Sequence, residues 1–144
     1  MIRPATATDV PALVAAYDWL FAPPGGEPAG WDPDAAADRL RLAIAGERST
    51  VLVAGAPITG FCTVYLDIES VRFGQRAWVE DLAVDAAHRS AGTGKALLGA
   101  ACDWARERGA THLELDSGDA RVDAHRFYER EGPAWRSRAY GYVL

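Results

Sequence analysis

The chain has 144 residues, the size of one ordinary domain, and its 49% hydrophobic and 24% charged residues exclude disorder, collagen and a long coiled coil. Fifteen basic and 20 acidic side chains leave a net charge of −5, which argues against nucleic acid as a partner because polyanion binders carry a basic stripe. Two cysteines outside any Cys/His cluster give no support to a disulfide scaffold or a metal site. The opening residues form no apolar targeting segment and no run reaches membrane-spanning length, so the expectation is a cytoplasmic protein without a membrane partner.

In chain order, Thr8 to Leu20 places Val10, Leu13, Val14, Tyr17 and Leu20 at helical spacing, with Thr6 or Thr8 available as N-cap. Ala22 to Gly30 is too rich in Pro and Gly to be regular and reads as a loop. Asp32 or Asp34 can cap a second helix that runs to about Ala45 and ends at Gly46. From Thr50 the period falls to two. Val51 to Val53 and Ile58 to Ile68 form a hairpin about Gly55-Ala56-Pro57, and Arg76 to Val84 follows as a buried strand. Lys95 to Arg108 has a broad apolar face closed by Gly109. Thr111 to Asp116 alternates as a strand, Val122 to Glu131 is helical, and Trp135 to Leu144 reads as a final strand. Strand-helix-strand runs require parallel pairing in the second half, whereas the hairpins are antiparallel, so the sheet is expected to be mixed.

The informative segment joins the Arg76 to Val84 strand to the Lys95 helix. Gly94-Lys95 ends like a Walker A loop, but Arg89 stands at its first glycine and Ala96 at its last position. The dinucleotide fingerprint matches Gly92 and Gly94 and then fails at Leu97, where close packing needs a small residue. The pattern R-x-x-G-x-G is met in full by Arg89, Gly92 and Gly94. Glycines let successive backbone N–H groups and a helix N-terminus close around a pyrophosphate; a plain helix entry is the bland alternative.

With its flanks, this pattern resembles the acetyl-CoA motif of the GCN5-related N-acetyltransferases. Glu80-Asp81-Leu82-Ala83-Val84 stands where that family has E-D-L-x-V. Ala124-His125-Arg126-Phe127-Tyr128-Glu129-Arg130-Glu131-Gly132 matches its A-x-x-F/L-Y-E-x-x-G, and Ile2 to Thr6 looks like its first strand. The resemblance implies an α/β (α+β) single-domain fold over residues 1–144, a mixed six- to seven-stranded sheet flanked by about four helices. It implies acetyl-CoA as cosubstrate, no metal, and direct transfer to an amine. Two departures stand out: Arg121 replaces the usual asparagine, and Pro133 replaces the aromatic residue after Gly132, removing a backbone donor.

The roles implied by the resemblance follow residue by residue. Leu82, Ala83 and Val84 offer backbone groups to the pantetheine arm, and Arg89, Ser90, Ala91, Gly92, Thr93, Gly94 and Lys95 enclose the phosphates. Arg121 is a candidate phosphate partner, and His125 faces the cofactor or is an exposed helix histidine. Tyr128 is the proton donor to the departing sulfur, with a core tyrosine as the alternative. Glu80 is the first candidate base and Glu114 the second, with Asp81 and Asp116 behind them.

The acceptor is read from the first half, where Asp18, Glu27, Asp32, Asp34 and Asp38 carry charge with no base among them. Trp19, Trp31, Asp32 and Glu80 are the candidate substrate-binding residues, with Tyr17 and Phe21 beside them. Carboxylates among rings favour a small cationic amine. The competitors are a protein N-terminus or lysine, an aminoglycoside, and a non-catalytic acyl-CoA sensor on the same fold. A homodimer through Trp135, Tyr140 and Tyr142 is compatible with the sequence.

Overall fold

A computed structural model describes residues 1–144. The elements run β1 (Ile2–Pro4), α1 (Val10–Ala16), α2 (Asp18–Phe21), α3 (Pro33–Ala45), β2 (Ser49–Ala54), β3 (Gly60–Ser70), β4 (Gly74–Val84), α4 (Thr93–Glu107), β5 (His112–Glu114) and α5 (Val122–Arg130). The expected first helix is present but divided at Tyr17, so α1 and α2 act as one bent helix and the flanking helices number four in that sense. Asp32, not Asp34, caps α3 by accepting the Asp34 N–H at 3.0 Å, with Pro33 at the first position, where its missing donor costs nothing.

The sheet is mixed, in the order β1-β2-β3-β4-β5. Strands β1 to β4 form an antiparallel meander, and β4 pairs with β5 in parallel. Period-two alternation sends neighbouring side chains to opposite faces. Val51, Val53 and Phe61 pack under α1 and α3, whereas Leu52, Cys62 and Val64 pack under α4 with Leu97 and Trp104. The apolar stripe of α4 fixes that helix over the sheet, and Gly109, at φ +81°, supplies the left-handed residue that ends it.

The sheet stops at five strands, short of the expected six to seven. Trp135–Leu144, expected as the last strand, has no regular structure and is exposed throughout. A strand needs a ladder partner and a face to bury. Gly132 turns at φ +71°, Pro133 has no donor, and the neighbouring β5 is only three residues long. Trp135 retains one tie, an Nε1–H donated to Glu114 Oε1 at 3.3 Å. The β5 strand is shorter than the expected Thr111 to Asp116 because its ladder with β4 ends at Trp78 and Glu114. Beyond that pair the two chains part, and the gap between them opens into the cavity described next.

Candidate functional site

The β4–β5 gap leads into a cavity of about 400 Å³ walled by β4, the chain after β5, α5 and the α2–α3 segment. A register shift places two β4 residues, Glu80 and Asp81, opposite the single residue Thr63 of β3. Such a bulge interrupts the alternation of faces, and both carboxylic residues line the cavity. Thr63 is buried, and its Oγ1 accepts the Asp81 N–H at 3.0 Å, which satisfies a donor that the bulge removes from the ladder.

Asp81 accepts a hydrogen bond of 2.6 Å from the Tyr17 hydroxyl. Burial pushes its carboxyl above the usual range against that hydrogen bond, Glu80 adds to the rise, and Arg121 opposes it. Tyr17 is raised as well, by its own burial and by the charge of Asp81. Glu80 is exposed and accepts the Trp78 Nε1–H at 2.6 Å. Tyr128 lines the same cavity, and burial pushes its hydroxyl up to about 12, with the Arg121 charge opposing. It is therefore protonated at neutral pH and able to donate.

The rings of Tyr17, Phe21 and Trp31 meet at centroid distances of 6.1, 5.4 and 4.7 Å, and all three line the cavity. Trp31, a candidate substrate-binding residue, is therefore a lining residue of the cavity. Trp19 and Asp32 do not line the cavity. Trp19 packs at 6.3 Å on buried Phe61, because helical rotation turns it inward, and Asp32 is occupied in capping α3. Glu114 is also absent from the cavity wall. Its carboxylate faces Arg76 at 3.4 Å and His112 at 3.6 Å, since it still belongs to the paired part of β5.

Ser117 is the residue the sequence reading passes over. Its Oγ is buried without a hydrogen-bond partner at the point where the chain after β5 borders the cavity. Its only sequence signal is a serine at a strand end. Buried orphan hydroxyls are uncommon and mark a position that a ligand can satisfy.

Beyond the end of β4, Arg89 donates from Nε to the Val84 carbonyl at 3.4 Å. Ser90 and Gly92 both take left-handed backbone, at φ +66° and +82°. Gly92 is the N-cap of α4 and contributes no side-chain cap, so the first N–H groups of a 15-residue helix stay free for an anion. Lys95 and Arg89 add positive charge. Gly94 lies against the Phe127 ring, 3.5 Å from where a Cβ would stand, which seats α5 on this turn. The free amides, the cationic side chains, the open gap and the orphan Ser117 hydroxyl fit a phosphate-bearing thioester with a slender arm. Two candidate contacts bond within the chain: His125 Nε2 meets the Gly118 carbonyl oxygen at 2.9 Å, and Arg121 Nη2 donates to the Leu20 carbonyl oxygen at 3.0 Å. No group of three or more His, Cys, Asp or Glu side chains is arranged to hold a metal ion, and no helix is long and apolar enough to cross a membrane.

Residues 13–132 match the model of the Acetyltransferase (GNAT) family. The chain is 49% identical over 59 residues to the uncharacterized N-acetyltransferase YhdJ of Bacillus subtilis (strain 168), covering 41% of this chain and 42% of that one. It is 37% identical over 92 residues to the streptothricin acetyltransferase of Streptomyces lavendulae, covering 63% and 47%. The chain thus spans less than half the length of these relatives. Among solved structures, a candidate acetyltransferase from Arthrobacter sp. FB24 superposes with a TM-score of 0.78 at 31% identity, over 100% of this chain and 94% of that one. The aminoglycoside acetyltransferase AAC(6')-Iy, in complex with a bisubstrate analogue, superposes with a TM-score of 0.84 over 100% and 97%. At 17% identity, that likeness is one of fold.

Proposed function

The chain belongs to the GNAT acetyltransferase family, and on that premise we propose that it transfers the acetyl group of acetyl-CoA directly to the primary amine of a small cationic acceptor. The observation that carries this reading is the shared cavity. Tyr128, Glu80 and Asp81 line it together with the rings of Tyr17, Phe21 and Trp31. Acetyl-CoA supplies an activated acyl carbon and a thiol leaving group.

The residues of the chain divide the work. The amides opening α4, with Arg89 and Lys95, hold the phosphates, and Leu82, paired with β3 but past the end of the β4–β5 ladder, borders the gap for the arm together with the Ser117 hydroxyl. Glu80 and the three rings hold an ammonium group by charge and π faces, with the Asp81 carboxyl beside them. A protonated amine is no nucleophile, so its proton passes to Glu80, the exposed carboxylate at the cavity. The nitrogen then attacks the thioester carbon; as the C–S bond breaks Tyr128 gives its proton to the departing sulfur, and the second proton, shed by the nitrogen as it becomes the amide, restores the tyrosine, leaving amide, free thiol and one proton on Glu80 to pass to solvent. Holding both reactants in one cavity lowers the barrier independently of the proton transfers.

The cavity, about 400 Å³ including the gap, suits a small amine better than a multi-ring antibiotic. The streptothricin relative keeps an antibiotic amine as the second reading. The test is thiol release from acetyl-CoA with a panel of cationic primary amines, streptothricin and an aminoglycoside, set against uncharged analogues. Saturable release with a small cationic amine is expected. Release that no amine changes would contradict the reading and favour a non-catalytic acyl-CoA sensor.

A further inference from the structure

Arg121 replaces the asparagine expected before α5, and its guanidinium turns to the first half of the chain. Its Nη2 donates to the Leu20 carbonyl oxygen at 3.0 Å, across 101 residues. Leu20 lies in the last turn of α2, where carbonyls lack helical partners. Gly25 sits beside both groups: a Cβ there would collide with the Leu20 carbonyl oxygen and stand 2.7 Å from Arg121 Nη2. Only a residue without a side chain lets the carbonyl and the guanidinium meet.

The junction lies between two walls of the cavity. On one side the chain after α2 contributes Gly26, Pro28 and Trp31, and on the other α5 contributes Ala124 and Tyr128. No other side-chain hydrogen bond joins the end of α2 to the start of α5. The Tyr17–Asp81 bond ties the bend between α1 and α2 to β4, not to α5. Arg121 also opposes the upward shifts of both Asp81 and Tyr128, which agrees with a cation seated between the acceptor side and the proton donor.

We propose that Arg121 is a positioning residue for the acceptor, a clasp that fixes the end of α2, from which the 22–30 loop departs, against the start of α5 and thereby sets the acceptor wall relative to Tyr128, with Gly25 as the matching gap. The inference rests on the reading of this cavity as the acceptor site. It gives Arg121 a role different from a phosphate contact, and the two roles separate by experiment.

R121A, R121K, G25A and the R121A/G25A double variant are compared with the wild-type chain. The readouts are acceptor KM, kcat, acetyl-CoA dissociation constant by calorimetry, and the rate of proteolytic cleavage within residues 22–30. A hydrogen bond from a charged donor is worth about a factor of ten or more. R121A and G25A are each expected to raise acceptor KM about tenfold and to speed loop cleavage, with the acetyl-CoA dissociation constant within about twofold of wild type. The double variant is expected to be no worse than either single one, because both break one junction, and R121K recovers most of the loss. A weakened acetyl-CoA affinity in R121A with acceptor KM unchanged would overturn the clasp in favour of a phosphate role, and multiplying effects in the double variant would overturn the pairing with Gly25. Wild-type turnover is measured first: no amine accepted overturns the acceptor reading and the inference with it, whereas turnover with unaltered KM in both single variants overturns the inference alone.

Discussion

Tyr128 and Asp81 face the same cavity, and burial drives both hydroxyl and carboxyl toward their protonated forms. For Tyr128 that favours proton donation, so Y128F is expected to lower kcat about 10²-fold or more while leaving the acetyl-CoA dissociation constant within a few-fold. An unchanged kcat would remove the tyrosine from the reaction. For Asp81 the consequence is one of stability. A carboxyl raised above its unfolded value binds its proton more tightly when folded. Its contribution is full below about pH 3.9 and is lost as pH rises through the raised folded value. D81N keeps an oxygen for Tyr17 and cannot ionise, so its melting temperature is expected to gain on wild type as pH rises from about 4 to 7. A difference that stays flat across that range contradicts a raised Asp81. Tyr128 and Glu80, singled out from motif, and Trp31, singled out from the aromatic and acidic make-up of the first half, all line the cavity. Trp19 and Asp32 carry the right chemistry on the wrong side of a helix or in a cap, which composition does not distinguish. Ser117 was silent because an orphan hydroxyl exists only once its neighbours are placed.

The β4 bulge depends on Thr63, whose buried hydroxyl accepts the Asp81 N–H. T63V keeps the shape and removes the acceptor, leaving a buried donor unpaired, so it is expected to destabilise by about 1–3 kcal/mol and to lower kcat by disturbing the Glu80–Asp81 pair. Denaturant melts and turnover read the two effects, and a loss of stability with unaltered kcat would detach the bulge from catalysis. At the start of α4, Gly92 at φ +82° meets nothing within 4 Å of an added Cβ. The strain in G92A is therefore conformational, and about 1 kcal/mol is expected, with weaker acetyl-CoA binding by calorimetry as the turn opens. Helix α4 was legible from its wide apolar stripe, and α3 from its Asp-Pro start. The bulge was not, since an extra residue in a ladder leaves no mark in the alternation of one strand, and the Trp135–Leu144 segment alternates like a strand without having a partner to make it one.

Across the whole molecule, one sheet is covered by helices on two faces, and the β4–β5 parting forms the opening. Leu97 is fully buried in the α4 face, so L97A is expected to cost about 2–5 kcal/mol by thermal or denaturant melts, and a cost below 1 kcal/mol would mean the α4 face carries little of the stability. Mixed topology followed from the order of elements alone, because strand-helix-strand runs force parallel pairing. Strand number did not follow, because it depends on which edge finds a partner. The central claim is that the α4 turn and the gap together accept acetyl-CoA. Its most direct test is the melting temperature of the chain with acetyl-CoA, CoA or ATP. A ligand at 100 times its dissociation constant stabilises by about 2.7 kcal/mol, which for a chain of this size is a shift of roughly 8 °C. Equal shifts with acetyl-CoA and CoA and none with ATP are the predicted result; no shift with either CoA species, or the same shift with ATP, would contradict the account.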